Sequence, residues 1–424
     1  IDKEMVSLGL ELTMGGEPTF ISIDNRSGSE WNFTALSEEK KKLGEDLLLN
    51  LRERFNPNSL VQISQGKWYP GEVLPRWAMH CFWRKDSEPI WLNSSLIAIK
   101  KELTKKSAFS VQEKLNSFFR SLTKKLSIPE TYIIPAYEAD SDLNTAAISA
   151  LVLPLHFSPP RKRWISNKWE FKEKNLILFK GDSPAGLRLP LSELAYVEAA
   201  YGEFLPERSP FEQNSKLPSY KELRESISKR AKKKPDDKDF RDDPKGLIRT
   251  ALVIEIRENT IYVFLPPINF IENFLDLITA IELSCEEENI SVSLEGYTPP
   301  KDLRITHLSV TPDPGVLEVN IQPAHNWEEL KDITYTIYEE AYKTRLGTEK
   351  FLIDGRRVGT GGGNHIVLGA STPEASPFLK RPDLLRSMLC FRQNHPSLSY
   401  LFSAMFIGPT SQAPRIDEAR HDSL

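Results

Sequence analysis

Carboxylates recur in this chain where a strand turns one face away from its aliphatic residues. In GVLEVNIQ, Leu317, Val319 and Ile321 share one face of a period-2 strand, and Glu318 and Asn320 share the other. In ALVIEIR, Glu255 lies opposite Leu252, Ile254 and Ile256. Glu418 and Arg420 project together in RIDEARHD, and Glu17 follows the Gly-Gly break of LELTMGGEPTFISID. Alternation on a solvated sheet face explains any one of these glutamates. Four such strands in one chain suit a shared acidic cleft. Carboxylates converging from several strands are the ligand set of Mg²⁺ or Mn²⁺, hard cations that keep waters and bridge substrate phosphates.

A second set suits anions. GTGGGNHIVLG places Gly361, Gly362 and Gly363 before Asn364 and His365. Glycines accept positive φ and let backbone N–H groups approach a phosphate, which His365 could then touch; a tight hairpin with a surface histidine is the plain alternative. The stretch is not a dinucleotide fingerprint, because Asn364 replaces the last glycine and a strand-like run follows. Arg415 and Arg420 bracket Glu418, as phosphate clamps or as strand-end ion pairs. QGKWYPGEVLPRWAMHCFWRKDSEPIW crowds Trp68, Trp77, Trp83 and Trp91 with Lys67, Arg76, Arg84 and Lys85, as a substrate wall or as an aromatic core with snorkelling bases. Walker A, CxxC and HExxH patterns are missing, which argues against a P-loop or a zinc site. Cys81 beside His80 raises thiol acyl transfer, but strand neighbours point to opposite faces. Cys285 and Cys390 read as core residues on helices.

These residues need a sheet with helices to position them. Ser37 caps a helix carrying Leu43, Leu47, Leu48, Leu51 and Phe55 on one face. A second helix starts at Ser110 with Glu113 completing a capping box, and buries Val111, Leu115, Phe119, Leu122 and Leu126. TALVIEIR and TIYVFLP form a hairpin around Glu258 and Asn259. Helices then run over Ile271–Cys285 and from an Asn326 cap to Gly347, and one begins at Pro382. Hairpins with intervening helices make an α+β chain with a largely antiparallel sheet. Residues 1–206 and 246–424 read as two halves of one unit, with residues 207–245, rich in charge, Ser and Pro, as a surface insertion or linker.

The 424 residues carry a net charge of −4 and no basic footprint for nucleic acid. No apolar run is long enough to span a membrane. Three cysteines far apart in sequence suit a reducing compartment, so a cytoplasmic protein is expected. The abrupt ARHDSL ending reads as a cut from a longer polypeptide.

LTMGGEPTFISID, QGKWYPGEVLPRWAMHCFWRKD, GDSPAGLRLPL, TPDPGVLEVNIQPAHNW, DGRRVGTGGGNHIVLG and FIGPTSQAPRIDEARHDSL closely resemble the amidoligase family that accompanies transglutaminase-like domains in bacterial proteins. The resemblance runs from about Met14 to the last residue. It implies a glutamine-synthetase-like fold with a curved antiparallel sheet, and a carboxylate–amine ligase that uses ATP and Mg²⁺ (or Mn²⁺) to make an acyl phosphate. It also implies small-molecule or peptide carboxylate and amine substrates. By motif order the metal residues are Glu17, Glu255, Glu318 and Glu418, with Glu11 and Glu295 as further candidates. Asn364, His365, Arg415 and Arg420 are the catalytic set, and Gly361, Gly362, Gly363 and Arg188 bind nucleotide. The alternative is a non-catalytic module that binds a peptide or metabolite for its transglutaminase-like neighbour.

Overall fold

The structure, a computed structural model, describes residues 2–98, 108–139, 147–171, 175–194, 215–233, 247–351, 355–360 and 366–397. Its helices are α1 Asp2–Ser7, α2 Glu38–Phe55, α3 Ala108–Leu126, α4 Tyr220–Ala231, α5 Ile271–Glu288, α6 Trp327–Lys343, α7 Pro377–Lys380 and α8 Pro382–Asn394. The strands up to the centre of the chain are β1 Thr13–Gly16, β2 Thr19–Ser22, β3 Leu60–Gln65, β4 Trp77–Arg84, β5 Ile134–Tyr137, β6 Ala150–Pro154, β7 His156–Ser158, β8 Arg163–Ile165 and β9 Leu176–Ile177. Beyond it lie β10 Ala251–Arg257, β11 Thr260–Leu265, β12 Val292–Gly296, β13 Ile305–Asp313, β14 Val316–Asn320, β15 Leu346–Gly347, β16 Glu349–Phe351, β17 Arg357–Gly359 and β18 Ile366–Gly369.

Twelve strands form one sheet in the order β15-β2-β14-β13-β4-β3-β12-β11-β10-β6-β5-β9. Neighbours are antiparallel except at β3–β12, β12–β11 and β5–β9. The expected α+β class with a mostly antiparallel sheet is therefore present. Residues 258 and 259 join β10 to β11 with φ of 48° and 62°, the two positive values that a two-residue hairpin matched to strand twist requires. Between β13 and β14, Gly315 sits at φ 76°, where a Cβ would be strained.

The two faces of the sheet are packed by different elements. α2, capped by Ser37 accepting from the Lys40 N–H, lays Leu47, Leu48 and Leu51 on one face. Gly44 allows this approach: a Cβ there would meet Trp77 at 3.0 Å and Val310 at 3.5 Å. On the opposite face, Leu252, Ile254, Ile261, Val263 and Leu265 join Ile271, Phe274 and Ile278 of α5 in the main core. α3 and α4 pack on α5 in turn. Burying five such aliphatic side chains contributes on the order of 10 kcal/mol before entropy is charged.

Several local expectations are corrected. The expected surface insertion contains α4, whose Ser219–Glu222 capping box starts it and whose Leu223 and Ile227 are buried. α3 begins at Ala108, two residues before the expected Ser110. α6 ends at Lys343 with Thr344 as its cap, before the expected Gly347, because Arg345 takes the left-handed position at φ 65°. Cys390 is exposed, not core. Trp91 is buried and Trp77 and Trp83 pack against the core, whereas Trp68 is 65% exposed. No described helix is long and apolar enough to cross a membrane.

Candidate active site

Glu17 and Glu318 meet at one corner of the sheet. β1 and β2 both run along β14, and the chain breaks between them at Glu17 and Pro18: Gly16 O accepts from the Ile321 N–H and Pro18 O from the Val319 N–H. Glu318 lies opposite Thr19 of β2 in register. Burial raises the Glu318 carboxyl above the usual range, the charges of Asp313 and Glu17 add to it, and the Lys67 ammonium opposes them. That ammonium reaches Glu318 Oε2 at 2.7 Å from the β3–β4 loop. Burial disfavours the charge on Lys67, and the bond to Glu318 overcomes it, so its pKa is raised.

The loop that delivers Lys67 is braced from behind. Arg76 is paired with Asp313, bonds Glu72 at 2.7 Å and stacks 4.6 Å over the Tyr69 ring. Lys40, wholly buried in α2, donates to the carbonyls of Thr34 and Asp313 at 3.2 and 3.0 Å. Burial pushes its pKa down to about 7. The sequence singled out Lys67 and Arg76 but not Asp313 or Lys40; a turn aspartate and a first-turn lysine resemble ordinary surface residues until the hairpin folds over them.

Both described flanks of the glycine stretch are tied beside Glu17. Thr360, just before Gly361, is buried with its Oγ1 2.6 Å from Thr19 Oγ1. Ile366, just after His365, pairs with Gly16. Glu17 thus lies between the two anchors in sequence. An open surface depression lined by Thr348, Glu349, Arg357, Val358 and Gly359 adjoins the first flank. Gly361, Gly362, Gly363, Asn364, His365, Arg415, Glu418 and Arg420 lie outside the described residues.

Glu255 does not belong to this corner. Following the register from Glu255 through Tyr262, Ser293, Val61, Cys81 and Leu308 to Ile321, which shares its face with Val319, puts it on the α2 face, and Glu318 on the other. Six strand steps also separate them, about 29 Å at the usual spacing. No single ion can bridge the two. Glu255 Oε1 instead accepts from the Ala185 N–H at 2.9 Å. Arg257, stacked 3.7 Å over Tyr262, pairs with Glu295. Arg188, expected at the nucleotide, lies near this second cluster, paired with Glu138 at 2.6 and 3.0 Å and bonded to the Ser183 carbonyl at 2.8 Å. Glu11 bonds the Ser371 N–H at 2.9 Å. Among the described residues no three His, Cys, Asp or Glu side chains gather as a metal site.

The thiol reading fails. Burial pushes the Cys81 pKa up to about 12, and His80 bonds Ser64 on the opposite face.

What the described corner offers is a pair of carboxylates, one of them deeply buried and held by a lysine, between the described flanks of a glycine-rich stretch. This donor set is all oxygen, as hard cations and their phosphate ligands require. The model of the family described as "Putative amidoligase enzyme (DUF2126)" matches residues 1–146 and 139–424, so the chain belongs to this family, whose name denotes ligases that form amide bonds. No curated protein and no solved structure matches the chain significantly.

Proposed function

We propose that the protein is an ATP- and Mg²⁺-dependent carboxylate–amine ligase of glutamine-synthetase-like type, forming an amide or peptide bond through an acyl phosphate. The observation that carries this reading is the Glu17–Glu318 pair, set between the anchored flanks of the glycine loop at Thr360 and Ile366. In the reaction, the substrate carboxylate takes the γ-phosphoryl group and ADP leaves. The amine nitrogen then attacks the acyl carbon, inorganic phosphate departs, and the amine loses a proton. Mg²⁺ or Mn²⁺ bound by Glu17 and Glu318, with Glu418 as a third ligand, would offset the charge of the β- and γ-phosphates. Backbone N–H groups of Gly361 to Gly363, together with Asn364 and His365, stabilise the transferring phosphoryl group, and Arg415 and Arg420 balance its charge. Lys67 neutralises Glu318 until the nucleotide arrives, and its exposed stem lets it turn to a phosphate. Glu255 and Arg188 drop out of the proposed site. A transglutaminase-like domain as chain neighbour and a cytoplasmic location accompany the proposal.

Calorimetric titration with ATP, first with Mg²⁺ and then with EDTA, tests it. Binding that needs the metal and is lost in Glu318→Gln supports the ligase. ATP binding unchanged by Glu318→Gln, or no metal-dependent binding at all, overturns it.

A further inference from the structure

The face that carries Glu318 also carries a polar row that leads away from the corner just described and joins it where Asn320 donates to Thr311 Oγ1 at 3.2 Å. Gln62 of β3 stands opposite His80 of β4, His80 opposite Ser309 of β13, and Ser309 opposite Asn320 of β14. The row therefore crosses four strands in direct register and ends two residues from Glu318. Aliphatic side chains would fill such a row in an ordinary sheet core.

Two atoms in the row lack partners among the described residues, Gln62 Oε1 and His80 Nδ1. Gln62 is wholly buried. Its amide nitrogen donates to the Tyr297 carbonyl at 2.7 Å, which fixes the orientation of the amide and leaves the oxygen as a bare acceptor. His80 Nε2 lies 2.7 Å from Ser64 Oγ. Ser64 donates to the Gln65 carbonyl at 3.2 Å, so His80 Nε2–H donates to Ser64 and Nδ1 keeps its lone pair. Burial and the neighbouring His307 push the His80 pKa down to about 3, in keeping with a neutral ring. The ring is stacked on Phe82 at 5.1 Å and cannot easily turn away. His307, which is exposed, lies 6.1 Å from it, and Tyr297 is 45% exposed. Two adjacent buried acceptors without a donor are costly unless something supplies N–H groups.

We infer that Gln62 and His80 form a subsite for a neutral N–H donor, the amide group of a peptide-like substrate. A neutral donor is specified because both acceptors are uncharged, and desolvating an ammonium ion between them with no carboxylate would be expensive. Two strand steps from His80 and three from Gln62, about 10 and 14 Å, lead to β14, so a substrate reaching both ends is extended, about three to four residues long at full extension. Assigning the bound group to the ligation substrate rests on the proposed ligase reading; the binding itself does not.

The test uses the whole chain with ¹⁵N-labelled histidine, without nucleotide or metal, titrated with acetamide and, as a control lacking N–H, methyl acetate. The expected result is a His80 Nδ1 resonance that is bare in the free protein and moves saturably with acetamide alone. Gln62→Met should weaken acetamide binding about tenfold, the loss of one hydrogen bond to a buried partner. If Gln62→Met fails to fold, His80→Phe, which keeps the ring stack, should abolish the acetamide response of the Gln62 side-chain amide in protein labelled with ¹⁵N-glutamine. A Nδ1 already hydrogen-bonded in the free protein, no saturable shift, or an equal response to methyl acetate each overturns the proposal. Metal-dependent ATP binding is measured separately, so failure of this subsite and failure of the ligase reading remain distinguishable.

Discussion

Two clusters of buried carboxylates occupy opposite faces of one sheet, and their surroundings differ. On the α2 face, Glu255 and Glu295 are held by an Ala185 N–H and an arginine, with the Arg188–Glu138 pair nearby and the satellite core of Val253 and Phe264 beside them. On the other face, Glu318 has Glu17 and Asp313 as like-charged neighbours and a single partly exposed lysine in opposition. The first cluster is tied mostly by interactions internal to the fold, with Glu295 Oε1 left without a hydrogen bond among the described residues. The second sets like charges around Glu318 against Lys67, next to the described flanks of the glycine-rich stretch. A glutamate at a polar strand position is thus no guide by itself; its parity and its partners decide between structure and ligand.

The largest expected effect breaks that contrast directly. Glu318→Gln should cost at least about 100-fold in Mg²⁺-dependent ATP affinity, as loss of a metal ligand does, while Glu255→Gln leaves the affinity unchanged; equal losses from the two would merge the clusters functionally. Next, Arg188→Met should destabilise the fold by about 1–2 kcal/mol, because it strips a half-exposed pair with Glu138 and hydrogen bonds to the Ser183 and Phe179 carbonyls, without altering ATP binding. Urea unfolding with parallel calorimetry reads both, and a changed ATP affinity would return Arg188 to the nucleotide site.

The pH dependence sharpens the same division. Burial chiefly pushes Glu295 up from 4.5 to about 7, with Arg257 opposing. Between those values the folded state holds a proton that the unfolded chain has lost. The contribution of this group to stability is therefore full below pH 4.5 and is lost as pH rises through about 7. Glu295→Gln should remove that slope, worth about 2 kcal/mol between pH 5 and 8; an unchanged stability profile would show that Glu295 titrates normally. The smallest effect concerns the loop anchor. Thr360→Val deletes the bond to Thr19 and should weaken ATP binding about fivefold, the worth of one hydrogen bond. Unaltered binding would detach the flank from the site.

Much of the local architecture could be read from residue order. The Ser37 and Asn326 caps, the Glu258-Asn259 hairpin and the break at Glu17 all stand where expected, because each depends on groups within a few residues of one another. The α4 helix was hidden by its charged composition, since only packing against α5 reveals that Leu223 and Ile227 form a buried stripe. Period-2 reading correctly set Glu255 and Glu318 each opposite the aliphatic face of its own strand. It could not relate one strand's faces to another's.

That relation belongs to the tertiary structure. Local sequence by itself determined the element types, the mostly antiparallel character of the sheet and, through its long motifs, the family. Only the assembled sheet decided that Glu17 joins Glu318, that Glu255 lies on the far face, and that Gln62 and His80 stand side by side. Strand order and register are set by hydrogen bonds between segments hundreds of residues apart, and a shift of one residue carries every side chain to the other face.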